Sequence, residues 1–259
     1  MENNVLLTRG DLKIPCKVTV PDFGEIRRVV LGVHGLGGSM VDDIQKSIAE
    51  EMELFYSATV RFDFPAHGES LWYDPMELRP CMESLMAAAE HAKEIFPEVE
   101  DLCIFATGFG AYVTLLCLEE LMELPGNVKL VIQSPCLRMH ENLIRMTRGF
   151  NKVTLQTMER VTLRSKRPVD VTYSFYEELR DNPVLGVSYP MPILVLHGEL
   201  DQVIDTDDVR NFRRINEPSK LVILPGVTHR FLEDGAWDMV LDLTRDWFEF
   251  EQVLLADYE

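Results

Sequence analysis

Short apolar-rich runs alternate along this chain with longer stretches in which apolar residues recur every three or four positions. The recurring spacing is that of one helix face, and the short runs are typical of strands covered on both sides. The alternation predicts a mostly parallel sheet with helices on both faces, which binds ligands at the carboxyl ends of its strands. The runs of strand length lie at 28–33, 58–62, 102–105, 129–133, 192–198 and 220–224.

Two regions depart from this alternation. At the start of the chain, runs at 5–8 and 12–20 flank a short polar turn and predict a hairpin. After about residue 136 the alternation of strands and helices lapses and resumes only near residue 190. We therefore expect a core built from residues 1–136 and 190–259 and an inserted segment, 137–189.

The stretch from Asp101 to Leu118 carries the strongest local signal. A short buried strand at 102–105 ends in a turn of small residues at 106–110, and an apolar helix follows. A strand, a tight turn and a buried helix are typical of a nucleophile elbow, usually written G-x-S-x-G. Here the turn reads A-T-G-F-G, and the nucleophile's place holds Gly108. The sequence predicts the elbow without its reactive side chain.

Charge and composition narrow the functional classes. The chain has 25 basic and 43 acidic residues, a formal net charge of −18, which argues against nucleic acid or an anionic membrane as a partner. No apolar run approaches the ~20 residues of a membrane span. The polar, acidic start does not resemble a signal peptide, so we expect a cytoplasmic protein. The five cysteines form no close-spaced pair, and we expect neither a metal site nor a cofactor.

Several loops that follow predicted strands carry recognisable motifs. Taken in order, they resemble the α/β-hydrolase family over nearly the whole chain, and most of all small capped carboxylesterases such as the cinnamoyl/feruloyl esterases and monoacylglycerol-lipase-like enzymes. The resemblance implies the α/β-hydrolase fold, with segment 137–189 as a lid over the site. The motifs are H-G-L-G-G at 34–38, D-F-P-A-H-G-E-S at 63–70, the elbow at 106–110, H-G-E-L-D at 197–201 and P-G-V-T-H at 225–229.

The resemblance also implies a role for individual residues. Gly108 stands at the nucleophile position, Asp201 is the acid and His229 is the base. The backbone N–H groups of Leu36 and Phe109 form the oxyanion hole, whose donors do not depend on side chains. The residues that would border a bound substrate are His34, Gly35 and Thr107.

Replacements for the missing serine are poor in this sequence. Thr107 lies one residue early, and neither Ser39 nor Ser134 stands on a turn that would present it to His229. Asp63 is expected to tie its own turn by hydrogen bonds, and His67 to be structural rather than catalytic. His34 in this motif usually supports the loop, and His197 is expected to pack beneath the acid.

Three functions remain open at this point. The chain could bind a small molecule, such as an anionic compound or an acyl ester, without hydrolysing esters. It could be an esterase whose serine was replaced by Gly108 by design. It could also perform non-hydrolytic chemistry with His229 and Asp201 as a base. A homodimer is compatible with each of them.

The stretch 138–167 is basic, in contrast to the rest of the chain. Its two acidic residues are Glu141 and Glu159. It could form a lid that prefers anionic ligands, or a solvated face that is attracted to the acidic body. Its basic residues are Arg138, Arg145, Arg148, Lys152, Arg160, Arg164, Lys166 and Arg167.

Overall fold

A computed structural model describes residues 1–70, 75–146, 152–163 and 167–256. Within these ranges eight strands form one sheet, in the order β1-β2-β4-β3-β5-β6-β9-β10, and two short strands, β7 and β8, pair separately. The strands are β1 (Glu2–Arg9), β2 (Leu12–Thr19), β3 (Arg28–Val33), β4 (Ser57–Phe62), β5 (Asp101–Thr107), β6 (Asn127–Gln133), β7 (Val161–Leu163), β8 (Val169–Val171), β9 (Ile193–Gly198) and β10 (Lys220–Leu224).

The predicted sheet is confirmed. The six strands from β4 to β10 in the sheet order run parallel to one another. The predicted opening hairpin, β1 and β2, joins them antiparallel at one edge. Every residue of β3, β4 and β9 is buried, as expected for strands that are covered on both sides.

Helices cover both faces of the sheet. One face packs against α2, α3 and α8, and the other against α1 and α9. The helices are α1 (Asp43–Leu54), α2 (Leu78–Ile95), α3 (Phe109–Leu116), α4 (Leu118–Met122), α5 (Met139–Met146), α6 (Lys152–Thr157), α7 (Tyr173–Asp181), α8 (Thr206–Ile215) and α9 (Ala236–Ala256). No helix in the described ranges is long and apolar enough to cross a membrane.

The helix that follows the elbow differs from the expectation of one continuous element. It is interrupted at Cys117, which has non-helical backbone angles (φ −93°, ψ 2°), and α4 begins at the next residue. Leu115 before the break and Leu118 and Leu121 after it are all buried. The leucines on both sides of the interruption are therefore packed in the core.

Segment 137–189 lies between β6 and β9 in the chain and contains five of these elements. They are α5, α6, the small hairpin of β7 and β8, and α7. The sequence pattern predicted an insertion here but not the hairpin, whose strands have only three residues each. That the segment acts as a lid stays a proposal.

Candidate active site

Gly108 forms the turn between β5 and α3. Its backbone angles are φ +51° and ψ −112°, a conformation that is costly for residues with a Cβ. Its N–H donates to the carbonyl of Gln133 at 3.0 Å, and its own carbonyl accepts from the N–H of Cys136 at 3.1 Å. The elbow backbone is therefore tied to the loop that follows β6.

Among the described residues, the side-chain position at Gly108 is open. Apart from its chain neighbours, a Cβ built there has a single heavy atom of the described residues within 4 Å, the Cα of Gly35 at 3.9 Å. At Gly110, by contrast, a Cβ would lie 2.4 Å from the carbonyl oxygen of His34. The elbow and the loop after β3 thus touch through a glycine at 110, while position 108 has room for a side chain.

The resemblance predicts that the backbone N–H groups of Leu36 and Phe109 form the oxyanion hole. Leu36 lies in the loop after β3 and Phe109 at the start of the elbow helix, the two segments that meet at Gly110. Phe109 is the first residue of α3, so its N–H has no intrahelical partner. Neither this N–H nor that of Leu36 has a hydrogen-bond acceptor in the part of the chain that the structure describes. Thr107 also faces the loop, since its Oγ1 lies 3.5 Å from the place of a Cβ on Gly35.

Two buried histidines support the loop after β3. The Nε2 of His67 accepts the N–H of Gly37 at 2.9 Å, and its Nδ1–H donates to the carbonyl of Pro65 at 2.8 Å. The Nε2 of His34 accepts the N–H of Phe64 at 3.1 Å, and its Nδ1–H donates to the carbonyl of Gly35 at 2.8 Å. Each ring accepts a backbone N–H at Nε2, which requires the neutral form.

The electrostatics agree with neutral rings. Burial lowers the pKa of His34 to about 4 and the pKa of His67 to about 3. His34 is 1% exposed and both of its ring nitrogens bond to the protein, so its ring holds the loop and has no nitrogen left for a ligand. Support of the loop by His34 is what the H-G-L-G-G motif implies, and a contact of His34 with a bound substrate stays a prediction.

Asp63 holds the neighbouring turn. Its Oδ1 accepts the N–H of Met40 at 2.7 Å, and its Oδ2 accepts the N–H of Glu69 at 2.8 Å. The carboxylate thereby links the start of this turn to the chain just after the 34–38 loop.

Asp201 and His229 form a hydrogen-bonded pair. Asp201 follows β9 and His229 follows β10, and the Nδ1 of His229 lies 2.7 Å from the Oδ2 of Asp201. The Asp201 side chain is fully buried, whereas that of His229 is 29% exposed. The other carboxylate oxygen, Oδ1, accepts the backbone N–H groups of Val203 at 2.8 Å and Ile204 at 2.9 Å.

These bonds keep Asp201 ionised. Burial of the carboxyl raises its pKa, but the hydrogen bond and charge of His229 and the two backbone N–H groups outweigh burial and hold the pKa below its ordinary value. An ionised carboxylate only accepts hydrogen bonds, so the proton of the His229 ring lies on Nδ1. The Nε2 of His229 has no partner among the described residues and can accept a proton.

Two further side chains touch the acid. The hydroxyl of Ser134 donates to the Oδ2 of Asp201 at 3.0 Å, and the Nδ1 of His197 lies 3.8 Å from the same oxygen. His197 packs beside the acid as expected. The contact of Ser134 was missed, although its place directly after β6, whose neighbours in the sheet are β5 and β9, was a usable signal.

All four basic side chains that the structure describes in the stretch 138–167 have partners within the protein. Arg138 bonds Asp208 at 2.8 Å, Arg167 bonds Asp42 at 2.9 Å, Arg160 bonds Asp170 at 3.2 Å, and Arg145 bonds Asn142. Arg138 and Arg167 therefore pair with acidic residues of the core, as expected for a basic face that is attracted to the acidic part of the protein. Arg148, Arg164 and Lys166 lie outside the described residues, as does the side chain of Lys152.

Two cavities border this segment and α8. One has a volume of about 240 Å³ and is lined by Tyr112, Leu179 and Leu185 among others. The other, of about 380 Å³, lies between Arg138 and Arg214. Neither is lined by Gly108 or His229, so both are separate from the site.

No protein-family model matches the sequence, and no curated protein matches it either. Solved structures do. Est1E from Butyrivibrio proteoclasticus, with ferulic acid bound, superimposes with a TM-score of 0.82 at 18% identity, over 96% of this chain and 99% of Est1E.

Two further solved structures, which are named differently from Est1E, also superimpose on this chain. Alpha/beta hydrolase domain-containing protein 10 from mouse gives a TM-score of 0.77 at 14% identity, over 95% of this chain and 98% of that one. Dienelactone hydrolase from Anabaena variabilis gives 0.62 at 18% identity, over 96% and 97%. Likeness at these identities establishes architecture and leaves activity open. This chain has the α/β-hydrolase fold.

Proposed function

We propose that this protein binds a small carboxylic acid without a covalent bond and does not hydrolyse esters through a serine. The observation that carries the proposal is the open position at Gly108 beside an intact pair of Asp201 and His229. Serine-type acyl transfer requires a hydroxyl on the elbow, and without it only oxyanion stabilisation and binding contribute to catalysis. The retained groups are those that recognise a bound acyl group.

A carboxylate matches these groups better than an ester does. One of its oxygens accepts the N–H groups of Leu36 and Phe109, at the N-terminus of α3, where a helix favours negative charge. The second oxygen takes the place of the missing hydroxyl and accepts from the Nε2–H of a protonated His229. Asp201 stabilises that cation from the other side of the ring. An ester offers the N–H groups a carbonyl oxygen but offers His229 no charge.

The relatives suggest a first probe. Est1E was solved with ferulic acid, a carboxylic acid with an aromatic body. Segment 137–189 would cover such a ligand as a lid, and its ion pairs support this position. Arg138 bonds Asp208 on α8, the helix that follows the loop of Asp201, and Arg167 bonds Asp42, shortly after the 34–38 loop in the chain.

Calorimetric titration with ferulic acid, methyl ferulate and the corresponding amide tests the proposal. A charge-assisted hydrogen bond is worth roughly 1.5–3 kcal/mol, so the acid should bind at least about tenfold more tightly than either neutral compound at low ionic strength. His229→Gln should abolish this preference. Ser84→Ala is the matched control, because among the described residues its buried hydroxyl bonds only the carbonyl of Pro80 within α2.

Two results would contradict the proposal. One is equal or tighter binding of the ester or amide by the unaltered protein. The other is stoichiometric labelling of a serine or threonine by a fluorophosphonate, which would reveal a nucleophile elsewhere in the site.

General-base chemistry is the second candidate. It is favoured by the tautomer of His229, because Nδ1–H donates to Asp201 and leaves Nε2 as a proton acceptor toward the exposed side. Such a protein would turn over a substrate in a reaction that His229→Ala abolishes and that leaves no covalent label. Binding of acids without any turnover would favour the first candidate.

A further inference from the structure

Ser134 has an unusual backbone for a buried residue with a side chain. It follows the last residue of β6, is 3% exposed and has a φ of +41°, in the left-handed region that disfavours a Cβ. Residues in such conformations persist only where the surroundings hold them, and they are concentrated at functional sites.

The contacts of the segment 133–136 join the two halves of the site. On one side the carbonyl of Gln133 and the N–H of Cys136 bond the backbone of Gly108. On the other side the N–H of Ser134 donates to the carbonyl of Leu196 at 2.8 Å, and its hydroxyl donates to Asp201. The strained residue thus lies between the elbow and the acid.

We propose that Ser134 is a positioning residue that directs the Asp201 carboxylate toward His229 and away from His197. Each carboxylate oxygen then has two donors, with the N–H groups of Val203 and Ile204 on Oδ1 and His229 and Ser134 on Oδ2. The inference concerns the base invoked in the proposed function and rests on that function for its biological meaning. Its geometry does not involve a ligand.

His197 is the competitor. Its ring is fully buried, its Nδ1 lies 3.8 Å from the Oδ2 of Asp201, and neither ring nitrogen has a hydrogen-bond partner among the described residues. A buried ring without a partner gains by bonding a carboxylate. A small rotation of Asp201 would supply that bond, and the hydroxyl of Ser134 opposes the rotation.

The charges around this cluster are few. His197 feels Asp201 and His229, together with Asp205 and Arg210 from the start of α8. In the loop of His229, Glu233 is bonded to the hydroxyl of Thr228 at 2.6 Å. Asp201 is the only carboxylate within hydrogen-bond distance of His229 among the described residues, so the position of Asp201 decides whether the Nδ1–H of His229 has an acceptor.

The test is an NMR measurement of the ring N–H proton and ¹⁵N signals of all six histidines in the ligand-free protein, labelled with ¹⁵N in the imidazole rings. Ser134→Ala and Ser134→Gly both remove the hydroxyl, and glycine also removes the penalty of the positive φ. In both variants the Nδ1 proton of His229 should lose the downfield shift of a hydrogen-bonded ring N–H and a ring proton of His197 should gain it, because the carboxylate turns from one ring to the other. Ser84→Ala should leave both signals where they are.

Other outcomes overturn the inference. An unchanged Nδ1 proton signal of His229 in the Ser134 variants would mean that the hydroxyl does not orient the acid. A shift in the alanine variant that is absent in the glycine variant would assign the effect to the backbone. Should Ser134→Ala fail to fold, Ser134→Gly still decides the question. Because no ligand is added, failure of acid binding leaves this result intact.

Discussion

At one end of the segment 133–136, the Asp201 carboxylate accepts four hydrogen bonds, two on each oxygen. At the other end, the side-chain position of Gly108 has one atom of the described residues within 4 Å, its chain neighbours aside. The acid–base half of the site is built from charged and polar side chains that hold one another, whereas the nucleophile half is built from backbone. The difference explains how one half can lack its reactive group while the other keeps its geometry, since neither depends on a hydroxyl at residue 108.

The side chains that hold the two halves of the site in place also differ in charge. Neutral histidines, His34 and His67, hold the loop that carries the Leu36 donor, by accepting backbone N–H groups. An ionised carboxylate holds His229. The two halves of the site should therefore respond differently to a larger side chain, to low pH and to salt.

Gly110→Ala should destabilise the nucleophile half most. A Cβ at residue 110 would lie 2.4 Å from the carbonyl oxygen of His34 and 2.9 Å from that of Val33, so the elbow helix and the loop would have to separate. We expect a loss of at least ~3 kcal/mol in the free energy of unfolding, measured by urea denaturation. Gly108→Ala is the matched control and should lose only about 1–2 kcal/mol, from its positive φ. Equal losses would mean that the contact is not tight.

Acid should destabilise the protein through the same loop. The pKa of His67 is lowered to about 3 by burial, so between about pH 6.5 and about 5 the unfolded chain takes up a proton there that the folded chain does not. Stability from this group is complete above about pH 6.5 and is lost as the pH falls, by up to about 2 kcal/mol at pH 5. His67→Gln should reduce the slope of the urea midpoint against pH by about half, because buried His34, with a pKa lowered to about 4, contributes the remainder. A wild-type profile with no slope in this range would contradict the assignment.

Gly108→Ser should restore the missing group. The φ of +51° should cost the serine variant about 1–2 kcal/mol of stability, seen as a lower melting temperature. Because the position has room for a side chain, the variant should fold, react with a fluorophosphonate and hydrolyse small aryl esters at least weakly. Adding His229→Ala should remove the labelling. A folded variant that stays unlabelled would show that the site has diverged beyond its nucleophile.

Arg167→Ala should have the smallest effect. The ion pair of Arg167 with Asp42, in which the arginine side chain is 37% exposed, should contribute less than about 1 kcal/mol to stability, and high salt should abolish the contribution. Arg138→Ala, which breaks the pair with Asp208 on the helix that follows the loop of Asp201, is the comparison on the other half. A loss above about 2 kcal/mol in either variant would mean that these pairs do more than tether segment 137–189.

Much of this architecture could be predicted from the sequence, because buried strands and their flanking helices leave a local apolar pattern. The strands at 28–33 and 220–224 were predicted to the residue. The break at Cys117 and the hairpin of β7 and β8 were not, since the first lies within a continuous apolar run and the second has three-residue strands.

Within the site, the positions of Asp201 and His229 could be predicted because motifs fix them after particular strands. For Ser134 the strand order indicates only that it lies near Asp201. The hydrogen bond itself could not be predicted, because it depends on how the end of β6 approaches the loop after β9 and on a positive φ in a non-glycine residue. The support of the loop by His34 follows from its motif, but the N–H group that reaches its ring, that of Phe64, does not.

The central claim is that His229 and the backbone donors receive a carboxylate in the absence of a nucleophile. The most direct measurement is the ¹⁵N spectrum of the His229 ring near neutral pH, recorded without ligand, with ferulic acid and with methyl ferulate. An anion beside Nε2 favours the cationic ring, so the acid should shift the His229 signals to those of imidazolium with uptake of a proton, and the ester should not. If saturating acid leaves the His229 signals unchanged, or if the ester produces the same shift, the claim is wrong.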